Sequence, residues 1–72
     1  MIETITATFE RFDAAQNAAD DLISTGIDSE KVFVDDKTPL VRAMVPATVR
    51  PEILEILNRH HPTEVRETNP VH

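Results

Sequence analysis

Apolar residues alternate with threonine near the start of the chain. Ile5, Ala7 and Phe9 interleave with Thr4, Thr6 and Thr8 across residues 3–10. A period of two with β-branched residues predicts a strand with one buried face. The period then changes. Ala15, Ala18, Ala19, Leu22 and Ile23 fall on one stripe at helical spacing, which predicts an amphipathic helix over residues 13–25. Asp13 is placed to cap it, and Gln16 three residues on completes a capping-box pattern. Gly26, the only glycine, stands where a left-handed C-cap belongs.

Strand character returns at residues 31–35, Lys31-Val32-Phe33-Val34-Asp35, followed by the turn-like Asp36-Lys37-Thr38-Pro39. Residues 40–45 form a third strand, ended by Pro46. A second helix is expected over residues 48–60, with Thr48 as its cap and Pro51 in the first turn, where a missing N–H is tolerated. Val49, Ile53, Ile56 and Leu57 make its inner stripe, with Leu54 beside it. His60-His61-Pro62 ends it. Residues 63–67 are mostly polar and predict an edge strand, and residues 68–72 a frayed tail.

The order is βαββαβ, the ferredoxin-like α+β arrangement. It implies a four-stranded antiparallel sheet of order 4-1-3-2 with two helices on one face, in a single domain over residues 1–67. Strands 1 and 3, which would be central, are richer in apolar residues than strand 4. Alternation assigns Ile5, Ala7, Phe9, Val32, Val34, Val41, Ala43, Val45 and Val65 to the helix-facing side. The open side then shows Thr4, Thr6 and Thr8 together with Phe33, Leu40, Arg42, Met44, Glu64 and Arg66. Phe33, Leu40 and Met44 beside three charges make this face the candidate interaction surface, because aromatic, Met and Arg side chains are enriched at interface centres.

Composition narrows the function classes. The 72 residues carry 13 acidic and 7 basic side chains, a net charge of -6. That balance argues against a phosphate-backbone partner, which is held by clustered Lys and Arg. A chain this short buries only about 60% of its unfolded surface, so its stability is marginal unless a partner helps. There is no cysteine, which excludes disulfides and thiolate metal sites. No apolar run approaches the roughly 18 residues of a membrane span. The start, Met1-Ile2-Glu3-Thr4, shows no secretion signal, so a cytoplasmic location is the default expectation.

Candidate chemistry is sparse. His60-His61 offers imidazoles, but a metal site needs three or four converging groups, and a third ligand, such as Glu64 or His72, would have to come from the C-terminal end. Asp20-Asp21 and Asp35-Asp36 are paired carboxylates placed on a helix's polar side and in a turn, which reads as solvated acidic surface rather than an acid–base pair. Ser24 and Ser29 are the only serines, and one glycine excludes both the nucleophile elbow and phosphate-binding loops. The RNA recognition motif shares this topology but stacks bases on aromatics of its central strands. Here those positions hold Thr4, Thr6, Thr8, Arg42 and Met44. The Cys-x-x-Cys loop of metal chaperones with this fold is replaced by Glu10-Arg11-Phe12-Asp13. The expectation is therefore no enzyme, no cofactor, no metal and no nucleic acid.

Phe9, Phe12-Asp13, the Ala15/Ala18/Ala19/Leu22 helix, Gly26 and Val32-Phe33-Val34-Asp35-Asp36, about the first half of the chain, together resemble the start of the bacterial general stress (heat-induced stress) protein domain. The resemblance implies a small bacterial α/β module with no catalytic residues to carry over. The strand ending at Val45 and the following Pro46-Ala47-Thr48 depart from it. Two expectations follow. One is a non-catalytic, stress-linked interaction or regulatory module that binds a protein partner or a second copy of itself. The other is a small-molecule-sensing, ACT-like domain with ligand at an edge or dimer interface. The second rests on topology alone, and the glycine-bearing ligand loop of such domains is missing after strand 1.

Overall fold

The structure, a computed structural model, describes residues 2–68. Strand β1 (Ile2–Thr8) leads into helix α1 (Phe12–Thr25). A 3-10 turn (Ser29–Lys31) delivers strand β2 (Val32–Val34), and a hairpin returns as β3 (Leu40–Pro46). A second 3-10 turn (Ala47–Val49) precedes helix α2 (Arg50–Arg59), and β4 (Glu64–Thr68) follows. The sheet order is β2-β3-β1-β4 with every neighbouring pair antiparallel. This is the expected ferredoxin-like order read from the other end. β4 extends to Thr68, one residue beyond the expected domain edge, and the rest of the expected tail lies outside the described residues.

Helix α1 begins one residue early, and this moves its cap. Arg11 is the N-cap residue, with extended backbone and no side-chain capping bond. Asp13 therefore sits inside the first turn, and its Oδ1 accepts from Ala14 N at 3.0 Å. The expected capping box does not form, since Gln16 Nε2 donates forward to Asp20 Oδ1 at 3.0 Å. The far end behaves as expected. Gly26 adopts φ 122°. Its N–H bonds to the Ile23 carbonyl (3.0 Å), and Ile27 N–H bonds back to Leu22 (3.2 Å), the paired closure of a Schellman motif. Thr48 does not cap α2. It lies in the 3-10 turn, and Val49 is the N-cap residue, with Pro51 in the first turn.

The core follows the two alternations. Ile5, Ala7 and Phe9 from the β1 side, Val41, Ala43 and Val45 from β3, and Val32 from β2 meet Ala15, Ala18, Ala19 and Leu22 of α1 and Ile53, Ile56 and Leu57 of α2. Two residues assigned to that core are not in it. Ile23 is 39% exposed and Val34 is 37% exposed. Both carry the right period, but both stand where the covering layer ends. Helix α1 packs over β2 and β3, and β2 is a three-residue strand at the sheet edge. Val65 is half-buried on the other edge and packs against the core.

Candidate interaction surface

The open side of the sheet is built by register. Phe33 pairs with Arg42, Arg42 with Thr6, and Thr6 with Arg66. At about 4.8 Å per strand, this row crosses the whole sheet in roughly 15 Å. Beside it run Leu40–Thr8–Glu64 on one side and Met44–Thr4 on the other. All six residues expected on this surface therefore share one face. Their exposures differ. Phe33, Arg42, Glu64 and Arg66 are exposed, whereas Leu40 and Met44 on the central strand β3 are half-buried. Phe33 is diagonal to both, within reach of long side chains, so the apolar component wraps around Arg42.

Electrostatics distinguish this face from the rest of the chain. Arg66 Nε bonds Glu64 Oε2 at 3.0 Å, with both side chains well exposed. Such a pair contributes little stability. Arg42 makes no ion pair among the described residues. The face thus presents two guanidinium groups against one carboxylate, on a protein whose net charge is -6.

The other polar candidates are tied into the fold. His60 Nε2 lies 3.1 Å from Asp21 Oδ2, linking the end of α2 to the polar flank of α1. His61 turns the chain out of α2 with φ 57° and is exposed. The two imidazoles are therefore not brought together. Among the described residues no group of three His, Cys, Asp or Glu side chains could hold a metal ion, and His72 lies outside those residues. Asp35 Oδ1 accepts from Lys37 N at 2.8 Å and closes the hairpin turn. Ser24 Oγ donates to the Asp21 carbonyl in its own helix at 2.9 Å. The Asp13 carboxyl is held below the usual carboxylate range, chiefly by the side-chain hydrogen bond from Arg11 and further by its charge. A shallow groove of about 250 Å³ lies in the helix layer, lined by Thr25, Glu52, Glu55, Ile56 and Arg59.

One charged cluster was not anticipated. Glu3 is only 5% exposed, with Arg50 Nη1 3.5 Å from its Oε1. The same Arg50 nitrogen is 3.3 Å from Glu67 Oε1 on β4. The guanidinium therefore ties the first turn of α2 to both β1 and β4. A cation at a helix N-terminus opposes the helix dipole, and the two carboxylates offset that. The signal was available in part, because Glu3 shares the register of Ile5 and Ala7.

Among the described residues no helix is long and apolar enough to cross a membrane. Comparison of the chain with protein-family models, with curated proteins and with solved structures finds no match.

Proposed function

We propose that this domain is a small non-catalytic interaction module that docks a protein partner on the open side of its sheet. The observation that carries this reading is the Phe33–Arg42–Thr6–Arg66 row, which joins an exposed aromatic to two guanidinium groups across all four strands. The chemistry it fits is a protein segment offering an apolar side chain to Phe33, Leu40 and Met44 and a carboxylate to Arg42. The opposite side of the sheet is occupied by the core, and the polar side chains of Asp20, Glu52 and Glu55 on the helix exteriors are acidic. The stress link comes only from the resemblance of the first half of the chain to general stress protein domains.

The test is the double variant Phe33→Asp with Met44→Asp. Neither residue belongs to the core cluster, so the circular dichroism spectrum should be unchanged. Immobilised wild-type protein should then retain partners from a cell extract that the variant does not. Identical retention by the two proteins refutes the open face as the docking surface.

A further inference from the structure

Among the described residues, four of the five exposed large apolar side chains lie along one edge of the sheet. Phe33 and Val34, 47% and 37% exposed, sit on β2 itself. Phe12 and Ile23, 49% and 39% exposed, are eleven residues apart on α1. Eleven residues are about three helical turns, so both occupy one flank of the helix, spaced roughly 16 Å along it. Asp21, two residues before Ile23 and hence about 200° around the helix, is the residue that reaches His60 of α2. The flank bearing Phe12 and Ile23 therefore faces away from α2. Helix α1 packs over β2 and β3, and Arg50 of α2 reaches β1 and β4. The flank away from α2 is thus the β2 side.

The backbone of β2 also has bonding groups left over. Asp35 N–H bonds the Leu40 carbonyl at 3.0 Å. Bonding direction alternates along an antiparallel strand, so Phe33 addresses β3 through its partner Arg42, and Val32 and Val34 turn theirs outward. The Val32 N–H is taken by the Ser29 carbonyl. The Val34 N–H and the Val32 carbonyl remain available to a new strand.

We propose that this edge takes a second copy of the same chain, with β2 pairing antiparallel to β2 about Phe33. The charges select this occupant and this direction. Lys31 and Asp35 flank Phe33 at equal distance. Antiparallel pairing centred on Phe33 sets Lys31 of each copy opposite Asp35 of the other, whereas parallel pairing sets Lys31 opposite Lys31. The same two-fold exchanges two N–H···O bonds, from Val34 of each copy to Val32 of the other. It places the two Phe33 rings side by side on the open face and brings Phe12 of one α1 level with Ile23 of the other. Such an interface is isologous and closes on itself. The exposed apolar side chains amount to roughly 300 Å² per copy, the size of a large patch on a monomer. Two copies would together cover roughly 600 Å² of apolar side-chain surface, below the area of standard specific interfaces, which suits a weak and reversible dimer. The proposal rests on the association reading above, but uses the edge rather than the middle of the sheet.

The experiment is light scattering and sedimentation of the full chain from about 10 μM to about 1 mM, a span that brackets a dissociation constant of about 100 μM. The wild type should pass from its 8.1 kDa monomer towards twice that mass. Val34→Pro should hold the protein at monomer mass. It removes the outward N–H and leaves the β2–β3 ladder intact, as Pro is tolerated on edge strands. Ile23→Glu, on an exposed helix flank, should do the same without touching the sheet. Lys31→Asp and Asp35→Lys should each weaken association at least tenfold, and an equimolar mixture of the two should recover a mixed dimer. A wild type that stays monomeric at about 1 mM overturns the proposal. So does a dimer that survives Val34→Pro and Ile23→Glu but is lost in Met44→Asp, a result that would leave the open-face reading standing. Conversely, edge-dependent dimerisation with no effect of Met44→Asp on partner retention would sink the open-face reading and keep the edge.

Discussion

Replacing Leu22 by alanine should remove about 3–4 kcal/mol of stability, near the middle of the range for buried leucines. Leu22 is fully buried on α1 and is one of the largest side chains in the core. The change deletes three carbons, about 2.4 kcal/mol in lost transfer free energy at ~0.8 kcal/mol each. The cavity term depends on how far neighbours can collapse. Three of the buried positions on this helix are Ala15, Ala18 and Ala19, which have no side-chain torsion with which to fill a gap. A residual void of ~40–60 Å³ at ~24 cal/mol per Å³ adds about 1–1.5 kcal/mol. A domain of this size has roughly 4–11 kcal/mol in total, so the variant loses a third or more of it. The midpoint of thermal unfolding should fall by about 12–32 °C. The control is the next residue. Ile23 has the same apolar character but is 39% exposed, and Ile23→Ala should cost under about 1 kcal/mol at low protein concentration. Urea unfolding followed by circular dichroism measures both. A loss below about 1 kcal/mol for Leu22→Ala, or equal losses for the two variants, refutes the assignment of the inner face of α1.

Gly26 and His61, the two described residues with left-handed backbone, should respond in opposite directions. Gly26→Ala, at φ 122° with open space around the added carbon, should destabilise by about 1 kcal/mol through backbone strain alone, whereas His61→Gly, at φ 57°, should stabilise by up to ~1 kcal/mol; equal signs in chemical unfolding would refute this. Arg50→Ala should cost about 1–3 kcal/mol because it strands the buried Glu3 carboxylate, while Glu3→Met should lie within about 1 kcal/mol of wild type; a larger loss for Glu3→Met would show that the pair itself is stabilising. In a pH titration followed by NMR, Asp13 should titrate below the ordinary aspartate range, and Arg11→Ala should raise it, since Arg11 is the main cause of the shift. A depressed carboxyl contributes stability above its unfolded pKa and loses it as pH falls through the folded value. No change in the Asp13 midpoint on removing Arg11 would contradict that cause.

What was legible in the sequence is what repeats with a local period. The alternation of Ile5, Ala7 and Phe9 with three threonines, and of Val41, Ala43 and Val45 with Arg42 and Met44, needs only the pleat of a strand to be read. Those two runs put Arg42 and Met44 on the open side with the threonines and made β1 and β3 central. What period cannot supply is the extent of the neighbouring layer. Ile23 and Val34 are in phase with their buried neighbours, yet the sheet ends beside them, and phase alone made them core. Pairings across long sequence separation were equally hidden. Arg50 meets Glu3 from 47 residues away, and His60 meets Asp21 from 39 away. The misplaced cap has a local cause: Phe12 enters the helix, so Asp13 acts from inside the first turn rather than from its border.

The errors of that reading and the edge proposal have one physical origin. Among the described residues, five of the fourteen buried core side chains are alanine, and small side chains bring α1 close to the sheet while burying little apolar area each. A thin core of this kind covers only the centre of a four-stranded sheet. Longer apolar side chains in phase with it, at positions 12, 23 and 34, overhang the β2 side instead of being enclosed. In a larger domain they would be covered by another element of the same chain. Here no further element lies on that side among the described residues, and a surface charge of mixed sign around β2 does not repel a second copy as the acidic helix exteriors would. β4, the opposite edge, is built differently. Glu64, Arg66 and Glu67 place charges along it, the usual protection of an edge against pairing. One edge is thus guarded by charge and the other carries exposed Phe33 and Val34. That asymmetry is why the β2 side, rather than β4 or the helix exteriors, is where association should be sought first.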